Sequence, residues 1–352
     1  MESLSDANGE VLSLSAARSL VLWILFFLIS FGLGYPTLNR YDARAADPDV
    51  ISYYKMVAND PPPTVEDDPF RFRLLVPSVA RPFYLIAKGK LGTWNPVFFG
   101  LLISNCLFTA TATLFLLLIA VRLLADLPTA LLGCALFLLN YVVPNLWLSG
   151  LVDSSEGCLL LTVTWCLFSR RWWLLPLIGI VGGIAKQSFL PFSVLFVATW
   201  WMTTERSRRT YTQLLWLASL AVTGTASLVF AHWKIAGQFL WPWTMAKWWD
   251  DGGYASNFIA WLTDYRFWYA FVWLLPLGIW RLNRFPRPWL AASVATALFA
   301  LGLAVYTNLG GAVNRPVFNV IGPILSLSVA HLISTWKLNR RLPQQDTPED
   351  PV

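Results

Sequence analysis

Long apolar runs separated by short polar stretches dominate the chain, and their lengths set the first expectation. A hydrocarbon core of roughly 30 Å asks for about 20 residues of apolar helix. About ten runs approach that length, at approximately 20–36, 95–121, 128–148, 152–168, 172–185, 188–202, 211–233, 266–280, 289–305 and 317–335. Several are short enough to need tilt or kinks. Trp172–Met202 is apolar throughout except for GGIAKQS at its centre. That break predicts two short helices in a hairpin, because one long helix would put Arg170 and Arg171 on the opposite side from Arg206–Arg209. The stretch Leu74–Ala87 is too short to span, holds Pro77 and Pro82 and carries Arg81, so it reads as an interfacial or re-entrant helix.

The architecture predicted is an all-α polytopic membrane protein, a single transmembrane domain over residues 1–352, with a long structured first outer loop at 37–94. An even number of spans puts both termini on one side. Arg122, Arg170 and Arg171, Arg206, Arg208 and Arg209, Arg281, Arg284 and Arg287, and Lys337, Arg340 and Arg341 then fall together. The positive-inside rule makes their side cytoplasmic, along with the polar tails 1–19 and 336–352. The first run has no cleavage site after it and is expected to stay as an anchor.

Composition agrees: 56% of residues are hydrophobic and 13% charged, against about 25% charged in an ordinary soluble domain. The net charge of +6 reads as membrane anchoring, and a nucleic-acid partner is discarded. Cys106, Cys134, Cys158 and Cys166 lie inside apolar runs without CxxC spacing and read as small core residues. His232 and His331 are too scattered for a metal cluster, so neither a metal nor a resident cofactor is called for.

Chemistry is expected in the outer segments. Within 37–94, the piece Pro48–Ala58 spaces Val50, Tyr53, Tyr54 and Val57 helically, as a short amphipathic helix would. Asp42 follows the first span closely, where a carboxylate meets a lipid headgroup and can take a proton from a hydroxyl. Asp47 and Asp49 compete for that role, and a solvated juxtamembrane acid is the bland alternative; Asp49, one turn into the amphipathic stretch, is expected to face water or headgroups. In DDPFRFRLLVP an extended backbone would send Arg71 and Arg73 to one side and Phe70 and Phe72 to the other. Paired guanidiniums suit phosphate, with interfacial snorkelling and pairing to Asp67 or Asp68 as the alternative.

Lys186, between two half-length runs, needs an anion: a substrate phosphate, or Asp153 or Glu156. Asp153 and Glu156 share one face at a helix start, where capping alone would explain them. Tyr53, Tyr54 and His232 are secondary candidates, as is Arg315, next to Asn314 in the last outer loop. The Trp-rich Trp241–Tyr254 segment fits an interfacial belt first and a sugar platform second.

Taken together, Asp42 after the first span, the segment DVISYYKMVA, the block PFRFRLLVP, Asp153 opening the fourth span and the tip GGIAKQSF resemble the GT-C superfamily of integral membrane glycosyltransferases. The resemblance implies a polyprenyl-phosphate-linked sugar as donor, transfer at the outer face of a bacterial inner membrane, and a glycan, lipid or protein acceptor. It implies Asp42 as the base and Arg71, Arg73, Lys186 and Arg315 as donor-phosphate contacts. A lipid phosphate leaves as a weakly basic anion, so direct displacement would invert the anomeric carbon without a metal; a divalent ion stays open. The rival classes are a secondary transporter, disfavoured by the absence of internal repeats and by charges gathered at one lip, and a non-catalytic subunit of an envelope assembly.

Overall fold

The computed structural model describes residues 14–40, 48–59, 69–237, 239, 253–306 and 313–339, and the regular secondary structure among them is entirely helical. In chain order the α-helices are α1 (Ala16–Gly34), α2 (Thr37–Arg40), α3 (Pro48–Ala58), α4 (Leu75–Ala87), α5 (Pro96–Leu124), α6 (Leu127–Leu138) and α7 (Asp153–Phe168). There follow α8 (Leu175–Ala185), α9 (Phe189–Thr203), α10 (Tyr211–Ala236), α11 (Tyr254–Thr263), α12 (Tyr265–Phe271), α13 (Leu274–Ile279), α14 (Arg287–Tyr306) and α15 (Asn314–Asn339). Five of them, α1, α5, α10, α14 and α15, are long and apolar enough to cross a membrane; α4, α6 and α9 are shorter apolar helices, as is the Trp172–Ala185 stretch that contains α8.

Local chemistry sets several boundaries. Asn95 caps α5 by accepting from the Val97 N–H at 2.9 Å, with Pro96 at the first helical position, where a missing N–H costs nothing. The Asp126 carboxylate caps α6 through the Thr129 N–H at 3.0 Å. Two runs read as continuous spans are broken. The run 128–148 stops being α-helical after Leu138, because Asn140 turns its side chain on the backbone, accepting from the Val142 N–H at 3.0 Å and donating to the Ala270 carbonyl at 2.8 Å. The run 266–280 divides at Val272–Trp273 into α12 and α13, and Pro276 lacks the N–H that would have bonded back across the break.

Contacts between helix ends show which ends lie together. Arg122 at the close of α5 donates to Ser169 just after α7 at 3.0 Å. Phe168 meets Trp200 of α9 and Trp289 of α14, with ring centroids at 4.9 and 5.4 Å. Thr129 of α6 donates to Ser334 of α15 at 2.6 Å, and Arg281 to Thr335 at 3.5 Å. Arg122, Arg170, Arg171, Arg206–Arg209, Arg281, Arg284 and Arg287 therefore gather at one end of the bundle, matching the clustering expected of them.

Three helices measure the distance from that end to the region where the polar side chains meet. From Arg122 back to Asn105 on α5, and from Arg170 back to Asp153 on α7, are each about 17 residues, or about 25 Å at 1.5 Å per residue. From Thr335 back to Asn319 on α15 is about 16 residues, or about 24 Å. With the arginine-rich end at one edge of a hydrocarbon layer of roughly 30 Å, this level would lie in the far quarter, away from the midplane.

Helix α4 packs antiparallel on the first half of α5, with Ser104 Oγ donating to the Val76 carbonyl at 3.2 Å. Gly100 makes the approach possible, since a Cβ there would lie 2.6 Å from the Ala80 carbonyl oxygen. The pair stands above the polar level, so α4 has its Leu75 end at the site and its Lys88 end farther out. Ser52 of α3 is buried, whereas Lys90 and Ser207 are exposed at opposite ends of the bundle. We expect Lys90→Cys and Ser207→Cys to react with an impermeant maleimide from opposite sides of the membrane; labelling of both from one side removes this arrangement.

Candidate functional site

Asp153 and Glu156 occupy the first turn of α7, and neither caps it: Val152 stands at the N-cap with no side-chain hydrogen bond. Their carboxylates are spent on cations. Lys186, at the α8–α9 tip, donates from Nζ to Asp153 Oδ1 at 2.7 Å and to Glu156 Oε2 at 2.9 Å. Arg315 of α15 donates from Nη1 to Asp153 Oδ2 at 3.0 Å. Glu156 is fully buried, and its remaining capacity is filled by Ser188 Oγ at Oε1 and by Asn319 Nδ2 at 3.0 Å. Of the two roles open to Lys186, pairing with the acids is the one formed here.

The neutral residues fix how the charged ones point. Trp147 is buried and donates its indole N–H to Asn319 Oδ1 at 3.1 Å, which leaves the Asn319 amide nitrogen facing Glu156. Gly157 allows this, because a Cβ there would come within 2.2 Å of the Trp147 ring. Ser154 donates to Asn105 Oδ1 at 2.6 Å and ties α7 to α5.

The first outer segment joins from the other side. Arg73 donates from Nε to Gln187 Oε1 at 3.0 Å and from Nη1 to the Tyr53 hydroxyl at 2.8 Å, and Nη1 lies 3.9 Å from Asp49 Oδ2. A backbone bond from the Leu74 N–H to the Ile184 carbonyl at 2.8 Å pins this segment to the end of α8. Tyr53 is fully buried, and burial pushes its phenol up against the pull of Arg73. Asp49 does not face water as expected: its side chain is 21% exposed. Burial holds its carboxyl above the usual range, opposed by the Arg73 guanidinium.

Asp49, Asp153 and Glu156 thus balance Arg73, Lys186 and Arg315 in one interlocked cluster. A buried ion pair gains only when geometry and hydrogen bonds offset desolvation. Here each carboxylate of α7 meets two cations or a cation and two neutral donors, while Asp49 lies at the most exposed edge.

Arg71 and Arg73 do not point to one side. Pro69–Phe72 is a 3-10 turn instead of an extended strand, so the alternation of two does not apply. Arg73 enters the cluster, with its guanidinium also 4.8 Å from the Phe70 ring centroid. Buried Arg71 lies 5.2 Å from the Phe72 ring centroid. Phe72 stacks in turn on His232 of α10, with centroids 3.7 Å apart. Tyr54 is drawn elsewhere, its hydroxyl accepting from Asn95 Nδ2 at 3.0 Å. Among the described residues, buried Asn314 has no hydrogen-bond partner for either amide atom. Asp42 and Asp47, and the Asp67 and Asp68 weighed as partners for the arginines, lie outside the described residues, as does most of Trp241–Tyr254.

Sequence reasoning did not find Asn319, Gln187, Ser188, Trp147 or Asn105. Gln187 and Ser188 lie within the GGIAKQSF tip, and Asn319 follows Arg315 by four positions and so shares a helix face with it. No protein-family model, curated protein or solved structure matches this chain.

Proposed function

We propose that the chain is a membrane glycosyltransferase that transfers a sugar from a polyprenyl-phosphate-linked donor to an acceptor hydroxyl at the extracytoplasmic side of a multi-pass membrane domain, with both termini cytoplasmic. The observation that carries this reading is the meeting of Arg73, Lys186 and Arg315, from three distant parts of the chain, about 25 Å from the arginine-rich end. At that depth a lipid phosphate sits among the cations while its isoprenoid tail runs between helices. The acceptor oxygen would attack the anomeric carbon as the bond from that carbon to the phosphate oxygen breaks. The hydroxyl proton goes to a carboxylate of the first outer segment, and the lipid phosphate leaves with the bonding pair, inverting the centre.

Cations already held by carboxylates still serve a phosphate, because a preformed array needs no reorganisation when charge develops on the leaving oxygen. A transporter is the second reading, favoured by one feature: Lys186 shared between two buried carboxylates can exchange partners as such proteins require. Purified protein in liposomes, given radiolabelled polyprenyl-phosphate sugars, separates the two by product formation against solute uptake. Arg73→Lys keeps the charge but cannot reproduce the fork to Gln187 and Tyr53, so donor affinity should fall about tenfold, a larger effect than the loss of fold stability. Equal donor affinity in Arg73→Lys and Arg73→Ala proteins and the unsubstituted chain removes the phosphate role of this residue.

A further inference from the structure

His232 lies on the α10 side of the Phe72 turn, where the charged side chain that acts on it is Arg71 and not a member of the cluster. Helices α8 and α10 run parallel, with Thr223 Oγ1 donating to the Pro176 carbonyl at 2.9 Å and Ser227 Oγ to the Ile180 carbonyl at 2.7 Å. Continued by five residues, this register sets His232 level with the Lys186 tip. Its ring is fully buried and lies on Phe72 at an interplanar angle of 17°. Among the described residues, neither Nδ1 nor Nε2 has a hydrogen-bond partner. Phe72 is followed directly by Arg73, so the stack and the cluster are joined by one peptide link.

A buried polar edge without a partner is costly, and an apolar ring would fill the same place beside Phe72 without that cost. Phe72 covers one face of the ring, and both nitrogens lie in the ring edge, where a hydrogen-bonding ligand would meet them. A neutral imidazole offers one N–H donor and one bare acceptor nitrogen. An ionised phosphate oxygen can accept from the N–H but cannot donate to the bare nitrogen, which a sugar hydroxyl can do; a glycosyl phosphate carries both.

We propose that His232 is a binding residue for the glycosyl-phosphate headgroup of the lipid-linked donor, its N–H donating to a phosphate oxygen and its bare nitrogen accepting from a sugar hydroxyl. The assignment rests on the glycosyltransferase reading. It gives the headgroup a neutral contact on the α10 side next to Arg71, the charged side chain that acts on this ring, and it makes recognition depend on the sugar as well as on the phosphate.

The chain carries two histidines, and His331 lies on α15 near its arginine-rich end, so ¹⁵N-histidine labelling of the full-length protein in nanodiscs gives two separable imidazoles. Farnesyl-phosphoryl glucose, mannose, galactose and arabinose serve as probes, with farnesyl phosphate as the sugar-free control. The expected result is a shift of both His232 nitrogens with a bound donor, of one with farnesyl phosphate, and none at His331. His232→Phe should weaken donor binding about tenfold while leaving the ligand-free protein as stable as before or more so. If a donor binds and the His232 nitrogens do not move, or if His232→Phe lowers ligand-free stability with donor affinity kept, the assignment is overturned and the glycosyltransferase reading stands. If none of the donors binds the unsubstituted chain, both fall.

Discussion

Asp153→Asn is expected to destabilise the folded chain by about 3–5 kcal/mol, the cost of leaving a buried charge without its partner. Asp153 is 1% exposed, and its two oxygens are divided between Lys186 and Arg315. Asparagine keeps the size but offers one acceptor oxygen, and its amide hydrogens face a cation. The cluster would change from balanced to a surplus of one positive charge. Unfolding in mixed micelles titrated with a denaturing detergent should show the loss. Adding Arg315→Gln should recover most of it by removing the surplus cation, whereas additivity of the two substitutions would mean that the residues do not interact. A change of about 0.5 kcal/mol or less in Asp153→Asn would put this pair in the class of exposed ion pairs and sink the account of a buried, charge-matched network.

How much of this was legible in the sequence depends on whether the signal was local. The helix over Pro48–Ala58 follows from the spacing of Val50, Tyr53 and Val57, all buried in the structure. The division of Trp172–Met202 follows from GGIAKQS, where the chain leaves α8 and begins α9. Lys186 was conspicuous because an isolated charge between apolar runs demands a partner, and its pairing with Asp153 and Glu156 was one of the two outcomes weighed. Asn140 and Pro276 break their helices through single side chains and single missing donors, effects that an average over an apolar window hides. The PFRF turn was misread as extended because alternation of two is informative only where a strand exists to display it. Asn319, Gln187 and Trp147 are neutral, and their roles come from partners more than a hundred positions away, where only tertiary packing brings donor and acceptor together.

The second large effect is expected from the acids of the segment between α1 and α5, to which the proposed function gives different tasks. If Asp42 takes the acceptor proton, as proposed, Asp42→Asn should lower kcat by roughly 10²–10⁴-fold with donor binding kept, since the amide preserves shape but cannot accept that proton. Asp49 sits 3.9 Å from Arg73 at the exposed edge of the cluster, where it positions the guanidinium. Asp49→Asn should therefore raise KM for the donor by about fivefold, near the worth of one partly exposed ion pair, and change kcat little. The pH dependence separates the two further. Because burial raises the Asp49 carboxyl, it protonates on acidification before an ordinary aspartate does, and Arg73 then loses its counter-charge. KM should rise as pH falls through that region in the unsubstituted enzyme and stay flat in Asp49→Asn. If Asp49→Asn instead abolishes transfer while Asp42→Asn remains active, the proton acceptor is Asp49 and its contact with Arg73 is part of the chemistry. Should neither substitution, nor Asp47→Asn or replacement of any other acid of this segment, alter kcat or KM, no carboxylate of this segment serves the reaction.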